Sequence, residues 1–200
     1  MRKAPWFAAG AVCLAIASAT TPAFAETKQE YNWCYAPDAS DDETVQGCSA
    51  MIRSGSYSGV KLSDAYDNRG VGYNGQKKYD LSIPDFNTAI SLNPRNYQAF
   101  NNRGNAFYSS GDYDRAILDY NASLRIDPQY AKAFDNRGNA YYVKGQLDRA
   151  IQDYTQAIRF NAQYAKAYYD RGVAKRKKGD IKGADADLAK ARQINPNIDR

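Results

Sequence analysis

The side chains with chemistry to offer in this chain are its carboxylates, one run of basic residues and three cysteines; histidine is absent. Without imidazole, the commonest general base and the commonest metal ligand at neutral pH are both missing. A catalytic or metal centre would have to be assembled from Asp, Glu, Lys and Cys. Their spacing offers no such assembly: no nucleophile stands beside a base, no glycine-rich phosphate loop is present, and no cluster has metal-ligand spacing. The sequence therefore predicts no catalytic residue, no metal and no cofactor, and it reads as a chain that catalyses nothing.

Composition agrees with a folded chain. Hydrophobic residues make up 44% and charged residues 24%, the balance of a globular protein. The formal charge of +5 includes Arg2 and Lys3 and is too modest to call for nucleic acid, so no nucleic-acid partner is expected. Residues 1–25 read as an export leader. Arg2 and Lys3 give a positive start, Trp6 to Ala19 is largely apolar, and Ala23-Phe24-Ala25 offers small residues for cleavage before Glu26. The apolar run is shorter than the roughly 20 residues a membrane span needs, which argues against an uncleaved anchor. The chain is thus expected in the periplasm or outside the cell. Cys13 departs with the leader, leaving Cys34 and Cys48. In an exported chain such a pair predicts a disulfide, closing a loop of about 15 residues for on the order of 3 kcal/mol; two buried free thiols are the alternative.

The elements that must position everything else announce themselves as a repeat. Asn68-Arg69-Gly70 returns as Asn102-Arg103-Gly104, Asn136-Arg137-Gly138 and Asp170-Arg171-Gly172, at an interval of 34 residues each time. Asn93-Pro94, Asp127-Pro128, Asn161-Ala162 and Asn195-Pro196 keep the same step, as do Phe86, Tyr120, Tyr154 and Leu188. A fixed period of this size means stacked supersecondary units. Each unit reads as two helices. In the second, Phe100, Gly104 and Phe107 mark one helical face, Gly111-Asp112 makes a turn, Ala116, Tyr120 and Ser123 mark the face of the next helix, and Asp127-Pro128 ends it.

These residues resemble the tetratricopeptide repeat family, whose signature places a large residue, a glycine, an aromatic, then Ala, an aromatic, a small residue and Pro across one period. Four copies are expected, at 63–96, 97–130, 131–164 and 165–196, the last extending to 198. The resemblance, of an exported bacterial kind, implies an all-α, right-handed superhelical solenoid of stacked helix-turn-helix pairs. It also implies a binding scaffold or adaptor of the cell envelope, with a protein or peptide held in the concave groove along the first helices. The groove candidates face away from the glycine series: Gln98, Asn101, Asn102, Asn105 and Tyr108; Lys132, Asp135, Asn136, Asn139 and Tyr142; Lys166 and Tyr169. A ladder of amides can donate and accept along a peptide backbone. The same asparagines could instead tie neighbouring repeats together. Some relatives grip a C-terminal carboxylate, but this chain has Asn101 where a Lys is expected and Asp170 where an Arg is expected, which disfavours that use.

Four further readings come from the residues. Arg69, Arg103, Arg137 and Arg171 share the period of Asp85, Asp119, Asp153 and Asp187, which predicts structural ion pairs. Lys175-Arg176-Lys177-Lys178 forms a basic end, whereas 26–62 has three Lys or Arg against six Asp or Glu. That end either docks on an anionic membrane surface or envelope polymer, the alternative adaptor role, or is a solvated helix terminus. Ser82-Ile83-Pro84-Asp85 looks like a helix start and predicts a helix beginning near residue 83. Segment 26–62 is expected to hold a degenerate half-repeat, with Val45, Cys48 and Ile52 on one helical face, that covers the open end of the stack. The oligomeric state is not written in these patterns.

Overall fold

A computed structural model describes residues 28–198 of the chain. The expected leader 1–25, with Cys13 and the cleavage point before Glu26, lies outside the described residues. Among the described residues there are ten helices and no strand. They are α1 (Lys28–Tyr35), α2 (Asp41–Ser54), α3 (Gly59–Gly75), α4 (Tyr79–Leu92), α5 (Tyr97–Ser109), α6 (Tyr113–Ile126), α7 (Ala131–Val143), α8 (Leu147–Phe160), α9 (Ala165–Lys178) and α10 (Ile181–Ile194). No helix among them is long and apolar enough to cross a membrane.

Consecutive helices pack as hairpins, from α1 with α2 to α9 with α10, and each hairpin packs on the next. Neighbouring first helices also touch, α3 with α5, α5 with α7 and α7 with α9, whereas neighbouring second helices do not among the described residues. The stack is therefore tightest along its first helices, which line the inner wall.

The core is built from one large residue per hairpin set among alanines. Phe86, Tyr120 and Tyr154 are fully buried, and Ala106, Ala116, Ala140, Ala150, Ala174 and Ala184 surround them with 0% exposure. One cluster joins Phe107, Ala116 and Tyr120 to Ala140 of the next hairpin, and one period later Ala150 and Tyr154 join Ala174. The apolar seam thus runs between repeats as well as within them. Its closest approach is aromatic ring on glycine: a Cβ built on Gly138 would lie 2.7 Å from Cε1 of Tyr154, and one on Gly104 would lie 2.7 Å from Cε1 of Tyr120.

Two expectations about the N-terminal half are corrected. The second helix of the first repeat begins at Tyr79 and runs unbroken to Leu92 with Pro84 inside it. The amides of Leu81 and Ser82 both bond to the carbonyl of Lys78, so Ser82 lies inside the first turns and does not start the helix. The register of the stack overrides the local signal. Ser82 is buried where later repeats place Ala116, Ala150 and Ala184, and Pro84 sits exposed, where its missing N–H interrupts one backbone bond.

The expected half-repeat is a whole hairpin. Cys34 belongs to a helix, α1, that precedes α2. Ser40 and Glu43 form a reciprocal capping box that starts α2, a Ser-x-x-Glu signal present in the sequence. Cys34 and Cys48 form the expected disulfide, with their Cα atoms 4.6 Å apart, and pack with Met51 and Ala65 as the buried centre of this end.

Two stability outcomes follow from this packing. Gly138→Ala forces the Tyr154 ring off its seat and is expected to cost roughly 1–3 kcal/mol, read as a lowered denaturation midpoint by circular dichroism. Replacing both Cys34 and Cys48 by Ser is expected to cost about 3 kcal/mol, the same loss appearing when the unmodified chain is unfolded in reductant.

Candidate functional site

The inner wall takes its chemistry from the recurring Asn-Arg-Gly triplet. Successive helical residues point about 100° apart, so the three residues of each triplet meet three different neighbours. The glycine receives the large residue of its own second helix: Phe86, Tyr120, Tyr154 and, at Gly172, Leu188. The arginine makes a two-nitrogen pair with the Asp of that helix: Arg69 with Asp85, Arg103 with Asp119, Arg137 with Asp153 and Arg171 with Asp187, each with contacts of 2.7–2.8 Å. The structural ion pairs read from the sequence thus lie within repeats.

The remaining guanidinium nitrogen reaches back to the preceding second helix: to Ser49 (3.4 Å), Asn87 (2.6 Å), Asn121 (2.6 Å) and Thr155 (3.1 Å). Asn87, Asn121 and Thr155 keep the 34-residue step, so their periodicity was available but had no partner assigned. The Asp side chains are only 7–8% exposed. Burial raises the carboxyl pKa of Asp153 in spite of Arg137. At Asp187 burial also pushes upward, but hydrogen bonds from Arg171 and Lys175 outweigh it and hold the pKa low. Lys175 stands where the repeat pattern calls for an aromatic and binds Asp187 at 2.8 Å.

The asparagine of each triplet stitches one first helix to the one before. Asn68 Nδ2 donates to the Cys34 carbonyl (3.0 Å), Asn102 Nδ2 to Asp67 (3.1 Å) and Asn136 Nδ2 to Asn101 (3.0 Å). The fourth triplet begins with Asp170, which cannot donate when ionised. Lys166 takes over by bridging Asp135 (2.7 Å) and Asp170, and Tyr154 Oη lies 2.8 Å from the Asn139 amide.

These bonds correct the groove reading for several candidates. Asn101 (3% exposed) and Asp135 (0%) are buried, and Asn102, Asn136 and Lys166 already bond to neighbouring helices. Asn105 accepts from Tyr120 Oη at 2.9 Å. Carboxylate gripping fares no better, since Asn101 and Asn136 bond each other and Lys166 is held by two aspartates.

What stays open is narrower. Tyr108, Asn139, Tyr142, Asp170 and Val173, drawn from α5, α7 and α9, line a cavity of about 240 Å³ with Tyr154 behind them. Lys177 lies over the Tyr142 ring, 4.6 Å from its centroid. Gln98 and Lys132 are exposed and Tyr169 is half-buried, none of them lining this cavity. The basic run is largely neutralised in place. Lys175 pairs with Asp187, Arg176 with Asp185 (2.6 Å) and Lys178 with Asp148. Crevices of about 540 and 460 Å³ lie at the hairpin turns around Gly145 and Gly111. Lys178 and Lys144 cross from one turn to the one before, reaching Asp148 and Asp114.

Helical hairpins stacked at a fixed period, with an aromatic-lined cavity along their first helices, define a helical-repeat solenoid scaffold. The sequence matches the tetratricopeptide repeat family models over residues 63–96 and 165–198 and over 86–117, and the related TPR repeat model over 104–144 and 138–179. The chain belongs to the tetratricopeptide repeat family. No curated protein matches it. Among solved structures it is similar to MamA (41-end) from Desulfovibrio magneticus RS-1, with 18% identity, 88% of this chain and 100% of that one covered, and a TM-score of 0.67. A further MamA crystal structure gives 19%, 78%, 89% and 0.66. The first TPR of Spaghetti (RPAP3), solved bound to the HSP90 peptide SRMEEVD, is 21% identical over 62% of this chain and 98% of its own, with a TM-score of 0.58. At these identities the likeness is one of fold: a right-handed superhelical solenoid.

The ladder carries its own pH test. Burial pushes the Asp67 carboxyl up to about 6, Asn102 notwithstanding. A carboxyl raised in the folded state binds its proton more tightly there than when unfolded, so its contribution to stability falls as pH rises from about 4 through 6. Asp67→Asn reproduces the amide that the next repeat carries at Asn101. It is expected to stabilise the chain at pH 7 by about 2 kcal/mol, with the gain fading by pH 4. Denaturant melts at both pH values check this.

Proposed function

We propose that this chain is a non-catalytic scaffold or adaptor of the bacterial cell envelope that holds a peptide segment of a partner protein along its inner wall. The observation that carries this reading is the cavity to which three successive first helices contribute Tyr108, Tyr142 and Val173. Tyrosines give a guest large contact area with little rotamer entropy to lose, and the partly polar lining supplies hydrogen-bonding groups beside them. The peptide seen on the first TPR of RPAP3 supports such a use of the fold. An oxidising compartment is supported by the Cys34–Cys48 disulfide and by the leader read in residues 1–25. The alternative, docking on an anionic membrane surface or envelope polymer through Lys175, Arg176, Lys177 and Lys178, is disfavoured by the aspartates that already pair with three of them.

Asn105 and Asn139 are poor sites for a functional substitution because both bond to core tyrosines. Tyr108 and Tyr142 are better. A photo-crosslinking residue at position 108 or 142 is expected to capture a partner in intact cells, while the same residue at the outward Leu118, 66% exposed on α6, is not. Tyr108→Ala with Tyr142→Ala should weaken binding at least tenfold. Equal capture at 118 and 108 would refute the inner wall as the site.

A further inference from the structure

The hairpin closed by the disulfide lies before the residues that the family models match, yet it continues the inner wall. Asn68 donates to the Cys34 carbonyl just as the later asparagines donate one helix back. Val71 stands one, two and three periods before Asn105, Asn139 and Val173, the last two of which line the central cavity. Between this hairpin and α3 lies a cleft of about 300 Å³ lined by Tyr35, Pro37, Thr44 and Val71, with Asp41 also on its lining. Its apolar members reach solvent: Tyr35 is 37% and Val71 42% exposed, and Tyr31, 41% exposed, packs 5.1 Å from Tyr35. A smaller crevice lined by Trp33, Asp38 and Glu43 shares Ala36 and Ala39 with the cleft.

The charged side chains that line these two openings have one sign. No Lys or Arg lines either of them. Asp42 accepts from Gln76 and Glu43 from Ser40, whereas Asp38 and Asp41 have no ion-pair partner among the described residues. An apolar hollow beside carboxylates that no Lys or Arg pairs with among the described residues is complementary to an apolar side chain with a cation next to it.

We propose that this cleft is a second docking pocket, which takes an aromatic or branched apolar side chain from a partner segment carrying Lys or Arg beside it. The proposal rests on the reading of the inner wall as a peptide-binding surface and adds a site, and a sequence preference, that the repeats alone do not supply.

Selection of displayed random dodecapeptides on the disulfide-bonded chain tests it, with affinities then measured by fluorescence anisotropy. Enriched peptides are expected to pair an apolar residue with Lys or Arg. They should bind at least tenfold more weakly to Val71→Asp and to Asp38→Lys with Asp41→Lys, and unchanged to Tyr108→Ala with Tyr142→Ala. Asp38→Lys alone changes an exposed side chain outside α2, so it remains informative if Val71→Asp or Asp41→Lys perturbs the fold. Peptides that are lost with the tyrosine variant but kept by Val71→Asp and by the charge reversal would overturn the pocket and leave the central groove standing. No enrichment on the unmodified chain would overturn both. A dimer in sedimentation that Val71→Asp dissociates would make a second copy the occupant and overturn the partner reading.

Discussion

Everything in this solenoid depends on one helical turn in which Asn, Arg and Gly stand side by side and face three different helices. The glycine sets how near the two helices of a hairpin lie, because the Tyr120 and Tyr154 rings occupy the space a Cβ would need. The arginine fixes the rotation of the hairpin through its paired Asp and, through its third nitrogen, the position of the hairpin before. The asparagine sets the spacing of the first helices. A buried Arg–Asp pair is weak evidence of net stability, since desolvation offsets much of the attraction. Its direction-dependent geometry nevertheless admits one register, and an alanine-rich seam alone would tolerate sliding.

That arrangement determines where binding can occur. The polar positions most suggestive of a peptide ladder are consumed by the stacking itself, because a buried amide or carboxylate left without a partner is costly. A guest is left the positions one turn further along the first helices, Tyr108, Tyr142 and Val173, whose side chains carry no hydrogen bond of the stack, although Lys177 lies over the Tyr142 ring and Tyr113 against Tyr108. The fourth repeat departs most from the pattern. With Asp170 for Asn, it needs Lys166 to join the carboxylates of Asp135 and Asp170. With Lys175 for an aromatic, it gives Asp187 a second cation.

The two ends of the stack differ for physical reasons. At the N-terminal end a short first helix buries little apolar surface, and a covalent link between Cys34 and Cys48 compensates. At the C-terminal end of the described residues, α10 presents a charged outer face with Lys182 and Asp185 exposed.

Much of this was legible in the sequence. The 34-residue period defined the helix pairs and the Arg–Asp pairs, because both depend on residues that recur in register, and the two cysteines outside the expected leader pointed to the disulfide. Position by position, however, the sequence misjudged what local chemistry means. Ser82 and Pro84 look like a helix start, but the stack needs a small residue at 82 and keeps the helix running through both. The asparagines look like ligands, but only the tertiary structure shows Asn102 facing Asp67 and Asn136 facing Asn101. Periodicity is a property of the chain and survives in one dimension. Which neighbour satisfies a buried polar group is a property of three, and it decided here which residues hold the scaffold together and which are left to hold a guest.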